Sequence, residues 1–331
     1  MADMKLFSAL ALLSLAACSG EAVIASGGSG GGSSSSAGDA TTGPGASGGG
    51  SSTSTTGPGA TSTSASSSSG GSVDGWTTLI DGTWQLAAGS EGYWCTLKTI
   101  KEDTYISSFR AQAPQGTHHT LLIRMDGSQP DGEAACGPTL GANMVHASGV
   151  GSDDLVFPDG VGVKIPAGTQ LLLNLHLFNT SDQPISGVSG TLIKTIAPAD
   201  LKQEAEMVLG GSTAIDIPPE GTQTVIGGCT FPAQATLITV WPHMHMYGTH
   251  MKIAYEGPSG DQVLHDGPYS FGEQTYYPIS PLVVGAGQRI RIECSYANNT
   301  TETVSWGDSS TAEMCFAGLY RYPALGTACS L

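Results

Sequence analysis

Five of the eight histidines fall into three tight groups. His118 and His119 stand side by side in Gly-Thr-His-His-Thr-Leu-Leu, and His176 lies in Leu-Leu-Leu-Asn-Leu-His-Leu-Phe-Asn. His243 and His245 sit in Trp-Pro-His-Met-His-Met-Tyr-Gly. Neutral imidazole suits copper, zinc and iron, and an added thioether selects copper, which cycles to the soft Cu(I) state. Met314, in Ser-Ser-Thr-Ala-Glu-Met-Cys, is the thioether candidate, although Met244 and Met246 lie nearer the His-x-His pair in sequence. In a strand, residues two apart share a face, so His243 and His245 converge while Met244 points away. His118 and His119 diverge in a regular strand and can share a metal only at a bulge or strand end. A lone histidine such as His176 is more often a hydrogen-bonded core or surface residue. Nine methionines also make any one of them unremarkable. Five clustered histidines are harder to explain as incidental.

The elements that must position these groups read as strands. Short apolar runs at 171–175, 237–240, 283–284 and 290–292 are bounded by Gly, Pro, Asn or Asp. Only 198–208 has a mildly helical pattern. Many brief strands at close spacing predict an all-β fold, a sandwich or jelly roll. A weak internal echo suggests two halves: Ile165-Pro166-Ala167-Gly168 leads into an apolar strand and His176, and Val284-Gly285-Ala286-Gly287 into another and Cys294. The strand pattern breaks near 197–205, which predicts domains at 74–200 and 201–331.

The chain ahead of residue 74 cannot join that core. Residues 1–17 read as a secretory signal, with Lys5 before an apolar run too short to span a bilayer. The run ends in Leu15-Ala16-Ala17-Cys18, which resembles a bacterial lipobox and implies lipidation at Cys18. Residues 18–73 are almost wholly Gly, Ser, Thr and Ala, with Thr-Thr-Gly-Pro-Gly-Ala at 41–46 and 55–60, a disordered tether. The expected location is the cell envelope, anchored by lipid to a membrane, with the outer membrane favoured. The net charge of −16, with only 12 Lys and Arg and no basic cluster, argues against nucleic acid or anionic surfaces as partners. Removing Cys18 leaves six cysteines. An even number in an exported chain suggests three disulfides, with fifteen connectivities open.

Taken in order, His-His, an apolar strand with His176 and Asn179, His-x-His and Glu-Met-Cys resemble the copper type II, ascorbate-dependent monooxygenases. Phe157-Pro158-Asp159-Gly160-Val161-Gly162 and Ile217-Pro218-Pro219-Glu220-Gly221 add to the likeness, which runs from about Tyr93 to Tyr322. The resemblance implies two tandem jelly-roll domains, each with one copper, held apart. His118, His119 and His176 would ligate an electron-transfer copper, and His243, His245 and Met314 a catalytic copper. It implies the pairs Cys95–Cys136, Cys229–Cys329 and Cys294–Cys315, the last clamping the backbone beside Met314. His146, His250 and His265 match no ligand position and read as structural or surface residues, His250 being the nearest to an exception.

The implied reaction is hydroxylation of a C–H bond in a small molecule, using O2 and a one-electron reductant such as ascorbate. No Walker motif, dinucleotide fingerprint or Gly-x-Ser-x-Gly elbow points elsewhere. The competing readings are a non-enzymatic copper-binding lipoprotein that buffers or delivers metal, and a β-sandwich adhesion module. Peptide-amidating members hold the substrate carboxylate with an arginine two residues before His-x-His, and with an asparagine and a tyrosine after the methionine. Here those positions are Trp241, Phe316 and Gly318. Trp241 and Phe316 are therefore expected to line a pocket for an apolar or aromatic molecule, a cationic amine included.

Overall fold

The computed structural model describes residues 74–329 except 128, 140–142 and 150; the expected signal, Cys18 and tether lie outside the described residues. Every regular element among the described residues is a strand. In the first half these are β1 (Thr77–Leu86), β2 (Glu91–Thr99), β3 (Thr104–Gln112), β4 (Thr117–Met125), β5 (Gly132–Cys136) and β6 (Met144–Gly149). β7 (Leu155–Val156), β8 (Val161–Ile165), β9 (Gln170–Phe178), β10 (Ile185–Thr195) and β11 (Gln203–Glu204) follow. The second half holds β12 (Glu206–Ser212), β13 (Asp216–Ile217), β14 (Thr222–Thr230), β15 (Ala235–His243) and β16 (Gly248–Gly257). It continues with β17 (Gly260–Pro268), β18 (Tyr277–Val284), β19 (Arg289–Ala297), β20 (Val304–Ser305) and β21 (Cys315–Tyr322).

The first half is a two-sheet sandwich. One sheet runs β1-β10-β3-β8-β11 with β7 on β3, and the other runs β5-β2-β9-β4-β6. β9 is buried along nearly its whole length, so its Leu171-Leu172-Leu173 run serves the interior rather than alternating with solvent. The second half is one eight-stranded sheet, β17-β16-β19-β14-β12-β21-β15-β18, with β13 and β20 paired separately. Residues 198–208, expected to lean helical, instead turn at Ala197–Asp200 and enter β11 and β12. The physical reason is period: buried Ala205 and Met207 alternate with more exposed Glu204 and Glu206, a pattern only a strand can satisfy.

The halves do not have separate cores. Leu121, Leu122, Met144 and Phe157 pack in one apolar cluster with Met207, Ile238, Trp241, Tyr276 and Tyr320. The second core gathers Val225, Phe231, Met244, Ile253, Ile292 and Leu319. Three disulfides close the structure with the expected pairing: Cys95–Cys136 joins β2 to β5, Cys229–Cys329 ties the chain end to β14, and Cys294–Cys315 joins β19 to β21. Each is of a kind worth about 2–4 kcal/mol through the unfolded state.

Candidate metal centre

The adjacent histidines share a face because β4 is irregular where they stand. Its register against β9 shifts between Thr117 and His119. This bulge leaves His118 out of the ladder and lets both rings lean to one side, with centroids 5.1 Å apart. His119 lies opposite His176 of β9, and the His176 ring is 4.8 Å from His119 and 5.0 Å from His118. One ring nitrogen from each of the three falls within 4.8 Å of the others.

Hydrogen bonds select which nitrogens remain free. His118 Nε2–H donates to the Phe271 carbonyl at 2.9 Å, and His176 Nε2–H donates to Glu91 at 2.6 Å. That leaves Nδ1 of both as lone pairs. His176 Nδ1 is buried without a partner, and His118 Nδ1 faces His119 Nδ1 at 3.0 Å. Converging nitrogens that can share at most a proton are an arrangement a metal ion would satisfy, with oxygen acceptors holding the outer nitrogens as metal-bound histidines require.

The second group is built at the end of β15. His243 is its last residue and His245 follows in the loop, yet their rings meet at 5.3 Å. His243 Nδ1–H donates to Gln274 at 3.0 Å and His245 Nδ1–H to the Ala312 carbonyl at 3.2 Å, so both Nε2 atoms stay free. The fully buried Glu313 carboxylate organises this end. It accepts the backbone N–H groups of His245 at 2.9 Å, Tyr247 at 2.6 Å and Met314 at 3.1 Å. Glu313 thereby ties the His-x-His loop to the start of β21. Met314 lines the same cleft as His119, His243 and His245. Met244 is wholly buried in the second core, and Met246 is half exposed, outside that cleft lining.

The two groups are not held apart. His119 and His243 rings lie 5.6 Å from each other, so five histidines form one continuous cluster. The expectation of two separated sites is corrected here, because contacts between the halves press the sites together. Phe271 stacks on His118 at 3.8 Å, Gln274 reaches both His243 and His118, and Tyr93 of β2 donates to the Asp308 carbonyl. Glu91 of β2 also accepts the Ser310 hydroxyl from the far half.

Burial keeps the cluster uncharged. It pushes His118 and His245 down to about 4 and His119 and His243 well below the ordinary imidazole value, neighbouring histidines adding to the effect at His119. His176 is lowered by burial in spite of Glu91, so the pair is a neutral imidazole donating to a carboxylate rather than an ion pair. Burial would raise Glu91, but hydrogen bonds from Ser310 and His176 hold it below the usual range. Burial raises Glu313 to about 7 against the pull of its backbone donors. Neutral imidazole is the metal-binding form.

A narrow cleft opens onto the second group, walled by Leu121, Met144, Leu209, Trp241, Met314 and Phe316. Trp241 lies flat against His243, with centroids 5.0 Å apart and planes within 14°. Gly318 stands opposite Trp241 in β21, where a Cβ would collide with Met207 and come within 3.2 Å of the indole. The glycine leaves that space to the Met207 methyl and the edge of the indole. Among the described residues no arginine or lysine lines this cleft, while Asp308 does.

The remaining histidines lie elsewhere. His146 is buried between Tyr276 and Tyr320, His250 pairs with Asp266 on the surface at 3.1 Å, and His265 packs on Tyr277. Asn179 caps a turn through the Ala87 and Gln183 carbonyls. Sequence reasoning did not single out Glu91, Phe271, Gln274 or Glu313. Only Glu313 carried a signal, as the residue before Met314; the other three act across long sequence separations.

Residues 203–330 match the profile described as copper type II ascorbate-dependent monooxygenase, C-terminal domain. The human DBH-like monooxygenase protein 2 is 25% identical over 265 residues, covering 70% of this chain and 53% of its own length. The chain thus spans about half the length of that relative. A structure of infectious bursal disease virus, Gt strain, covers 76% of this chain and 77% of its own at 12% identity, with a TM-score of 0.17.

Proposed function

We propose that this chain, whose residues 203–330 match the C-terminal domain profile of the copper type II ascorbate-dependent monooxygenases, hydroxylates a C–H bond of a small organic molecule with O2 and a one-electron reductant such as ascorbate. The observation that carries the reading is the donor set. His118 and His176 leave Nδ1 free beside His119, while His243 and His245 leave Nε2 free in a cleft that Met314 also lines, and every outer nitrogen with an assigned partner is held by a protein oxygen. His118, His119 and His176 would hold one copper, and His243, His245 and Met314 a second. A metal-buffering lipoprotein needs neither two ligand sets of different softness nor an apolar-walled cleft at one of them.

Copper bound at these residues would supply the one-electron chemistry that activates O2. The chain's own part is positioning. Phe271, Glu91, Gln274 and Ala312 fix the ring tautomers, and Glu313 holds Met314 and His245 in one frame. Trp241, Phe316 and Leu209 exclude water from the reacting carbon. Without a cationic residue in the lining, a substrate carboxylate would be desolvated unpaired, so the cleft favours an apolar or aromatic molecule, with an amine tolerated beside Asp308. Export and lipid attachment at Cys18 complete the proposed setting, an envelope enzyme facing O2 and reductant.

The test is copper quantification with X-ray absorption of the reduced protein, alongside reductant-dependent O2 uptake. Two coppers, one with a sulfur scatterer, and uptake coupled to product are expected. Stoichiometric copper without uptake would favour the buffering protein, and no copper would sink both.

A further inference from the structure

A second cleft adjoins the metal cleft. Its volume of about 770 Å³ is that of a small-molecule site, and Val145, Val163, Ala205, Met207 and Val208 give it apolar walls. Met144, Leu209 and Phe316 line both clefts, so the two spaces meet at these side chains.

The second cleft also holds an arginine, Arg124, near the end of β4. Of the five arginines in the chain, Arg110, Arg289, Arg291 and Arg321 each meet a carboxylate within 3.6 Å. Arg124 is half-buried, yet it has no ion pair among the described residues. Its Nη2 donates to the Lys164 carbonyl of β8, which holds the guanidinium in place, and its Nε–H is buried without an acceptor. Two carboxylates share the lining. Glu206 is taken, since it pairs with Arg321 at 2.7 Å and accepts the N–H groups of Leu325 and Gly326 at 2.9 and 3.0 Å. Burial works against the charge of Arg124, and Glu204 and Glu206 offset that only from a distance. A half-buried guanidinium without a counter-ion is costly, and a bound carboxylate would relieve it through charge-assisted hydrogen bonds. The apolar walls require that carboxylate to carry an apolar body, which a wholly polar anion of the ascorbate class lacks.

We propose that Arg124 binds the carboxylate of an amphipathic substrate, whose apolar tail passes Met144, Leu209 and Phe316 and presents its far C–H bond in the metal cleft. The substrate role rests on the monooxygenase reading, whereas the carboxylate site does not. Leu121 of the metal cleft and Arg124 of the second stand three residues apart on β4, about 10 Å along the strand. The reacting carbon therefore lies well away from the charged group. A carboxylate beside the reacting carbon, as in a peptidylglycine, would still be desolvated unpaired in the metal cleft. In turnover the far C–H becomes C–OH and the second oxygen of O2 leaves as water. Two equivalents of the one-electron reductant and two protons complete the balance.

The experiment titrates full-length, metal-free protein with octanoate and with octanamide, its uncharged isostere, by calorimetry. Octanoate should bind roughly tenfold tighter, and Arg124→Gln should bring it down to the affinity of the amide while leaving the amide unchanged. If that variant does not fold, the octanoate-to-octanamide ratio of the parent decides. Equal affinity for the two ligands, or octanoate binding that survives Arg124→Gln, overturns the site. Copper-loaded protein should hydroxylate octanoate on the carbons farthest from the carboxylate, read by mass spectrometry of the product. Hydroxylation beside the carboxylate, or none in protein that turns over other alkyl compounds, overturns the spanning substrate. Protein that binds no copper fails the monooxygenase reading, and the metal-free titration then judges the carboxylate site by itself.

Discussion

Lowering the pH from 7 to 5 should destabilise the metal-free chain, and His146 alone should account for about 2 kcal/mol of the loss. Burial holds its imidazole at about 3, and it is not one of the clustered histidines. In the unfolded chain an imidazole titrates near about 6.5. Below that pH the unfolded chain takes up a proton that the native chain refuses. The contribution is therefore complete above about 6.5 and falls as pH drops toward the native value. Integrated from pH 7 to 5, roughly 1.4 pH units of linkage at about 1.36 kcal/mol each give about 2 kcal/mol. At this chain length that is on the order of 4–8 °C in melting temperature. The comparison is the pH dependence of denaturant unfolding for the parent and His146→Phe, each metal-free. The difference between the two pH values cancels the cost of the substitution itself, and both tyrosine hydroxyls keep their Ala147 and Val145 carbonyls. His118 and His245, held at about 4, add losses of the same sign to both proteins. Equal pH dependence in parent and variant would show that the folded chain protonates His146, and would refute the reasoning.

Met314→Ile should keep the fold, at a cost under about 1.5 kcal/mol for a volume-conserving swap, and abolish hydroxylation together with the sulfur scatterer of the reduced protein. Unchanged turnover would mean that another donor completes the site. Glu313→Ala should cost at least about 3 kcal/mol, since the backbone N–H groups of His245, Tyr247 and Met314 lose their buried acceptor at about 1–3 kcal/mol each. Copper stoichiometry should fall with it, and full stability and metal content would contradict the role assigned to that carboxylate. Non-reducing peptide maps should link Cys95 only to Cys136, and reduction should destabilise by about 2–5 kcal/mol per bridge. A peptidylglycine should be a poor substrate beside aromatic or alkyl compounds, and efficient turnover of it with none of the others would overturn the reading of Trp241 and Phe316.

The proposed donor residues could be picked out in the sequence because their signals are local. His-x-His at the end of an apolar run, a histidine pair, and Glu-Met-Cys need only strand periodicity and ligand chemistry to be noticed. The all-β class followed from the same short range, as brief apolar runs punctuated by Gly, Pro and Asn have few other ways to be buried. The 198–208 segment misled because its pattern is short, and the pairing of β11 with β8 settled it from a distance. The bulge at His118 was required by the chemistry but could not be located without the β9 partner. Tertiary structure alone decided three things. It chose the free nitrogen of four of the five imidazoles, since Phe271, Glu91, Gln274 and Ala312 approach from 31 to 153 residues away. It brought His119 to His243, because that distance depends on how the two halves pack and not on either half's own pattern. It also laid Trp241 between His243 and Tyr276, since Tyr276 arrives from a remote stretch of chain just before β18. Residue type and short-range spacing are written along the chain, whereas tautomer, inter-site distance and ring order arise only where remote strands meet.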